Sequence, residues 1–378
     1  MNRARVVCTG GGTGGHIIPL VAVVREIRKQ NPDPAGFEFV YIGPRDDFGG
    51  MILSQEGFVM HYISTGKLRR YWSARAFFQN MADMFIRVPW GFLQSFVLLF
   101  RLAPDLIFSK GGHGALPVVL AGKILGIPIF LHESDAEPGL ANRIAGRVAL
   151  EVFVSFPRTK SFSEHKTVLV GNPIRLEILE GNGEEARRIF QLQGGKPVLL
   201  LMGGSQGSQR LNDMLLNVLN EALSEFEIIH QTGEKNFEQA KKEAEVVVQK
   251  DRADFYHPVA FMKETDLKHA YATCDLVVNR AGAGSVFEIA ALGKPSILIP
   301  LAEAAQNHQI VNAYEYAQSG ACIVLEEINL TPRFFLEKLR YLFSHGDVME
   351  AMAKSAKAFA KPDAARLLAS YIVEYLAK

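Results

Sequence analysis

Val6-Val7-Cys8-Thr9-Gly10-Gly11-Gly12-Thr13-Gly14-Gly15-His16 is a short apolar run that passes straight into glycine, with Pro19 close behind. An echo stands in the second half: Leu199-Leu200-Leu201-Met202-Gly203-Gly204-Ser205-Gln206-Gly207. Apolar runs without alternation are how strands covered on both faces are written. Working outward, strands are expected at residues 5–9, 37–42, 106–109, 128–132 and 152–155, and again at 198–202, 227–231, 276–279, 296–300 and 321–325. Amphipathic stretches such as 210–223 and 237–250 fall between them, so the class is α/β with parallel sheets of Rossmann type. The turn cluster Gly171-Asn172-Pro173-Ile174 separates the two series, giving domains at 1–169 and 170–362. Pro362 makes a sharp break before a last helix, 363–378, which is expected to pack back on the first domain.

The 378 residues carry a formal net charge of +1, so no bulk field draws the chain to nucleic acid. Three scattered cysteines, Cys8, Cys274 and Cys322, make neither a disulfide framework nor a zinc site. The apolar run at 6–8 is too short for a signal peptide, and the stretch 88–100 too short to span a bilayer.

Glycine removes side chains so that main-chain N–H groups approach an anion, and a following helix start favours negative charge. Gly10-x-Gly12-x-x-Gly15 has the dinucleotide spacing without the later acidic residue, and no Walker lysine is present. A tight turn that needs glycine only for its dihedrals remains the simpler alternative there. Ser205 and Gln206 sit in the second loop, at a strand's carboxyl end. A third glycine run, Arg280-Ala281-Gly282-Ala283-Gly284, leads into Ser285-Val286-Phe287-Glu288. That serine and glutamate fit a capping box; the same carboxylate fits two ribose hydroxyls. Between Lys67 and Arg101 six basic residues face one acid, Asp83, with aromatic residues interleaved. Arg69, Arg70, Trp72, Arg75, Phe78 and Phe85 have the composition of a docking site for an anionic membrane surface, with most of 92–100 expected as core.

The order of these segments with Lys110-Gly111-Gly112-His113-Gly114, His132-Glu133-Ser134-Asp135, Pro138-Gly139-Leu140-Ala141-Asn142, Gly171-Asn172-Pro173-Ile174-Arg175 and His230-Gln231-Thr232-Gly233 resembles the MurG family over nearly the full length. These are the peptidoglycan N-acetylglucosaminyltransferases that convert lipid I to lipid II. The resemblance implies a GT-B fold, two Rossmann-like domains facing across a cleft. It implies UDP-GlcNAc as donor, the undecaprenyl-linked lipid I as acceptor, inversion at the anomeric carbon, and a peripheral place on the cytoplasmic face of the bacterial inner membrane.

By the same resemblance Glu288 holds the donor ribose, and Phe261 and Met262 lie where the backbone reads uracil. Ser205, Gln206, Ala283, Gly284 and Ser285 face the diphosphate, while His308 and Gln309 recognise the sugar. Arg175, Asn142 and Thr13 are further donor ligands. Gly14, Gly15, His16, Gly112 and His113 form the acceptor diphosphate site, with Gly14 and Gly15 shared with the donor. The chain departs from some relatives at Ser134-Asp135 and at His113. His16 is the first candidate for the base, since a neutral imidazole accepts a proton near neutral pH; one that only binds phosphate is the alternative. Glu133 follows, then Asp135. No Asp-x-Asp pair occurs, so no obligatory metal ligand is expected and magnesium enters, if at all, with UDP. A GT-B enzyme for another lipid acceptor, a UDP-sugar epimerase and a non-catalytic nucleotide-sugar sensor are the competing readings.

Overall fold

The computed structural model describes residues 3–11, 14–31, 33, 36–66, 80–81, 83–159, 161–204, 207–301 and 307–378. The chain forms two units, Met1–Ile174 with Pro362–Lys378, and Arg175–Lys361. The first is built on β1 (Ala4–Thr9), β2 (Phe37–Gly43), β3 (Val59–Tyr62), β4 (Leu106–Ser109), β5 (Ile129–Glu133), β6 (Glu151–Val154) and β7 (Thr167–Leu169). These form one parallel sheet in the order β3-β2-β1-β4-β5-β6-β7. The second holds β8 (Val198–Met202), β9 (Glu227–Gln231), β10 (Tyr256–Val259), β11 (Leu276–Asn279), β12 (Ser296–Leu298) and β13 (Cys322–Val324). Their order, also parallel throughout, is β10-β9-β8-β11-β12-β13.

Each sheet reverses its winding beside its first strand, between β1 and β4 and between β8 and β11. Open parallel sheets bind ligands at the carboxyl ends of the strands at such a reversal. The register puts Thr9 beside Ser109 and Met202 beside Asn279. The described residues that follow, 10–11 and 110–113 in the first sheet and 203–204, 207 and 280–282 in the second, therefore flank the two crevices. The glycine-rich segments of the sequence map onto those places.

The strands absent from the sequence reading are β3, β7 and β10, all at sheet edges. Half-exposed, they carry polar residues such as His61, Thr167 and His257, and β10 includes Pro258, which an edge strand tolerates. The helix expected at 210–223 breaks into Gln209–Leu216 and Leu219–Glu225. The first unit extends past the expected boundary at 169 because Val170 is packed in its core and Gly171 hydrogen-bonds Val154. All three cysteines are buried and free.

Helix Val88–Leu102 continues from a π-helical turn, Asp83–Arg87, so the apolar run is longer than the stretch 88–100 suggested. Asp83–Leu102, 20 residues, is long and apolar enough to cross a membrane by length and composition. Its burial is one-sided. Gly91, Ser95 and Leu99 are buried, and a Cβ at Gly91 would lie 1.8 Å from the Ser64 carbonyl oxygen. Ile86, Trp90, Leu93, Val97 and Phe100 form an exposed row at helical spacing, so 92–100 is only half core. Of the basic and aromatic residues assigned to membrane docking, Phe85 is exposed, and Arg69, Arg70, Trp72, Arg75 and Phe78 lie outside the described residues.

The last helix, Ala364–Leu376, packs on helix Gly14–Gln30 of the first unit. Leu368, Ala369 and Ile372 enter the core with Val6, Val24 and Phe153. Tyr371 and Tyr375 each stand edge-on, 5.2 Å between centroids, to Phe153 and Phe130. Because Leu368 is fully buried, Leu368→Ala is expected to destabilise the first unit by about 2–5 kcal/mol, read as a lower midpoint in urea unfolding.

Candidate active site

In the first unit, β1 ends at Thr9 and helix Gly14–Gln30 starts with Gly14, Gly15 and His16. The His16 ring lies against two glycines: a Cβ at Gly11 would stand 2.7 Å from its Cδ2, and one at Gly112 3.1 Å from its Nε2. Gly112 has φ of +81°, so it is glycine for its backbone as well as for space. His16 Nδ1 is buried without a partner among the described residues. Burial first, then the charges of Lys110 and His113, push its pKa down to about 3, so the ring is neutral. Thr9 Oγ1, at the end of β1, is likewise buried without a partner among the described residues.

Glu133 closes β5 with both carboxylate oxygens engaged. Oε1 accepts the Asp135 N–H at 2.9 Å and Oε2 accepts from Asn142 Nδ2 at 2.7 Å. Asn142 Oδ1 in turn accepts the Gly112 N–H at 2.8 Å. Burial, then the charge of Asp135, hold the Glu133 carboxyl above the usual carboxylate range. The geometry makes Glu133 and Asn142 supports of the Gly111-Gly112 turn. Expected as a proton acceptor and a donor ligand, these groups are internally occupied, because burial requires their polar atoms to be paired. Behind them Lys110 is buried, and its ammonium donates to His132 Nδ1 and, at 2.7 Å, to Ser134 Oγ. His132 Nε2 bonds the Gly171 carbonyl at 2.9 Å, which leaves the Nδ1 lone pair for the lysine. His113 is exposed.

In the second unit, helix Ala283–Leu292 follows β11 with Gly282 at its cap and no side-chain cap bond. Ser285 is thus inside the first turn, and the capping box does not form. Glu288 lies a turn further on, buried, where Arg175 Nη2 donates to its Oε1 at 3.2 Å; Arg175 Nη1 also reaches Glu264 Oε2 at 3.1 Å. Burial raises the Glu288 pKa against the pull of Arg175. Ala283, Gly284 and Ser285 present the amides of a helix start, which has no intrahelical partners for them.

Met262 is buried and its N–H already donates to Gln231 Oε1 at 2.9 Å, so that N–H is engaged within the chain. Phe261 precedes it, half-buried. Gln309, expected at the sugar, accepts the Leu301 N–H on Oε1 at 3.0 Å. His308 opens that helix beside Asn307, whose φ is +56°. Thr13, Ser205 and Gln206 lie outside the described residues. Sequence reasoning missed the inward-facing supports: Lys110, Gln231, and Arg280, which holds Ser208 Oγ at 2.6 Å and pairs with Glu327.

Two parallel sheets, each with a glycine loop and a helix start at its winding reversal, are the frame of a nucleotide-sugar enzyme. Residues 6–154 match the glycosyltransferase family 28 N-terminal domain and residues 198–368 its C-terminal domain. The chain belongs to that family and is a glycosyltransferase. It is 36% identical over 345 residues, 91% of each chain, to the UDP-N-acetylglucosamine--N-acetylmuramyl-(pentapeptide) pyrophosphoryl-undecaprenol N-acetylglucosamine transferase of Clostridium tetani (strain Massachusetts / E88). With the Clostridium kluyveri enzyme of the same name it shares 38% over 340 residues, 89% of this chain and 91% of that one. The crystal structure of Acinetobacter baumannii MurG superposes with a TM-score of 0.73 at 24% identity, covering 98% of this chain and 99% of that one. A putative UDP-N-acetylglucosamine 2-epimerase from Listeria monocytogenes reaches 0.70 at 13%, covering 100% and 98%. These structures establish the fold, GT-B.

His16, His132 and His230 are all kept neutral, chiefly by burial. The unfolded chain protonates histidine at about 6.5, the folded chain far lower. Stability is therefore full above about pH 6.5 and falls as pH drops toward 3, because the unfolded state binds more protons there. Nitrogen NMR should show His16 as a neutral ring from about pH 5 to about pH 9.

Proposed function

We propose that the chain transfers N-acetylglucosamine from UDP-N-acetylglucosamine to the MurNAc 4-hydroxyl of a pyrophosphoryl-undecaprenol acceptor, turning lipid I into lipid II. The observation that carries this is 36–38% identity over about nine tenths of the chain to transferases of that name. The site chemistry supports it. Acceptor and donor each carry a diphosphate, and each unit has a glycine loop and a helix start for one.

In this reading the second unit takes the donor. Glu288 accepts the ribose hydroxyls, with Arg175 holding the carboxylate in place. The amides of Ala283, Gly284 and Ser285, with Ser205 and Gln206, meet the diphosphate. Phe261 flanks the base, and Gln309 and His308 meet the sugar. Gly14, Gly15, Gly112 and His113 take the acceptor diphosphate. The acceptor hydroxyl oxygen forms its bond to C1 with inversion, its proton passes to His16, and the bond from C1 to the UDP oxygen breaks. A ring with a pKa of about 3 is a weak base, and the anionic acceptor beside it raises that value. Main-chain amides stabilise the departing UDP, so the protein supplies no obligatory metal ligand, and magnesium, if it enters at all, comes bound to UDP.

Incubation with radiolabelled UDP-N-acetylglucosamine and purified lipid I should move label into the lipid phase. His16→Ala is expected to cut turnover by about 100-fold or more. Glu288→Ala is expected to act mainly on donor binding. No label in lipid with the intact protein sinks the assignment.

We further infer that the enzyme docks on the anionic cytoplasmic face of the cell membrane through the exposed row Ile86, Trp90, Leu93, Val97 and Phe100. Trp90 is 55% and Phe100 71% exposed, with Arg87 and Arg101 at hand for headgroups. Burial of the opposite side of the helix favours lying in the interface over spanning it. Trp90→Glu with Phe100→Glu should lower flotation with anionic vesicles by about tenfold or more. Equal flotation of the variant would refute the docking surface.

A further inference from the structure

Gln231 closes β9 with a side chain that is 4% exposed and engaged at both ends. Nε2 donates to the Gly204 carbonyl at 3.1 Å and Oε1 accepts the Met262 N–H at 2.9 Å. Those partners stand in the two segments assigned above to the donor's diphosphate and its base. One amide thus joins the turn after β8 to the turn after β10.

Its neighbours hold the strand end to both sides. His230 accepts the Tyr256 hydroxyl on Nδ1 at 2.8 Å and donates from Nε2 to Asn212 Oδ1 at 3.0 Å. Asn212 Nδ2 donates to the Thr232 carbonyl at 3.0 Å, and Thr232 Oγ1 donates to Val259 O at 3.2 Å. A leucine would fill the volume at 231 without the desolvation cost of a buried amide. What only the amide supplies is a donor and an acceptor set back to back at a fixed span.

We propose that Gln231 is a positioning residue of the donor site, clipping Gly204 to the backbone at Met262 so that a nucleoside diphosphate finds the segments after β8 and β10 already placed. The proposal rests on the donor-site assignment above. Preorganised partners spare the ligand the cost of ordering two loops. Gln231 touches no ligand itself; it acts through Gly204 and Met262.

Gln231→Glu and Gln231→Leu test it together. A protonated glutamic acid keeps the pattern, its O–H donating to Gly204 and its carbonyl accepting from Met262. An ionised one sets two acceptors against each other. His230 stays neutral throughout, because burial lowers its pKa to about 3, and burial raises the pKa of Tyr256, keeping its hydroxyl protonated. The unmutated protein carries any titration of Arg175, Glu264 and Glu288 as the control.

By calorimetry with UDP, Gln231→Leu should bind about tenfold more weakly at both about pH 5.5 and about pH 8. Gln231→Glu should come within about twofold of the unmutated protein at the lower pH and lose about tenfold at the higher. Hydrogen exchange at the Met262 amide, protected in the unmutated protein, should speed up in Gln231→Leu without any ligand. Should Gln231→Leu not fold, the pH dependence of the glutamate variant decides alone. Unchanged UDP affinity in both variants, or Met262 protection that survives, overturns the clip and leaves the donor site standing. An unmutated protein that ignores UDP overturns both.

Discussion

A parallel sheet that reverses its winding leaves a crevice at its carboxyl ends, and this chain meets that constraint twice. At β1 and β4, and at β8 and β11, the two connections turn away from each other, and the main chain between them has amides to spare. Side chains there would fill the crevice. Gly11 and Gly112 have no room for a Cβ because the His16 ring occupies it, and the second helix start is capped by Gly282 with no side-chain cap bond. Much of each crevice rim is therefore written in backbone, and the buried pair Glu133 and Asn142 holds part of it, the Gly112 turn, in place.

That division of labour explains the electrostatics. Glu133, Asn142 and Gly112 form a chain of bonds, and Gln231 forms another between Gly204 and Met262. Buried groups of this kind must be satisfied or they cost stability, so each is satisfied by the loop that it supports. His16 differs. Its Nδ1 is buried without a partner among the described residues. Among the described residues it shares that condition with a few other buried side-chain atoms, Arg175 Nε among them, and the proposal that it takes the acceptor proton rests on its neutral ring and its place at the start of helix Gly14–Gln30.

The central strands were legible because both faces are covered: β4, β8, β9 and β11 fall where their apolar runs predict. Of the four edge strands only β13 was read, since in β3, β7 and β10 one side meets solvent and residues such as His61, Thr167 and Pro258 break the pattern. The resemblance brought Glu288 to a ligand's place, and spacing alone left it divided with a capping box. The structure decides locally: β11 ends at Asn279 and the helix cap falls at Gly282, three residues before the serine that the box required. Pairings such as Glu133 with Asn142 join a strand end to a later helix, and no local pattern encodes them.

Helix Asp83–Leu102 shows why composition alone misleads in both directions. Counting apolar residues makes it a span; noticing aromatic density makes it core. Its buried side runs Gly91, Ser95, Leu99, small enough for close approach to the Ser64 backbone, and its exposed side runs Ile86, Trp90, Leu93, Val97, Phe100. A spanning helix would have to give up the packing of Phe92, Phe96 and Leu99 on the first unit's core. A helix lying in the headgroup region keeps that packing and covers the other row with lipid. Only the second arrangement satisfies both faces of the helix at once, which is why the proposed docking surface is the exposed row and not the whole helix.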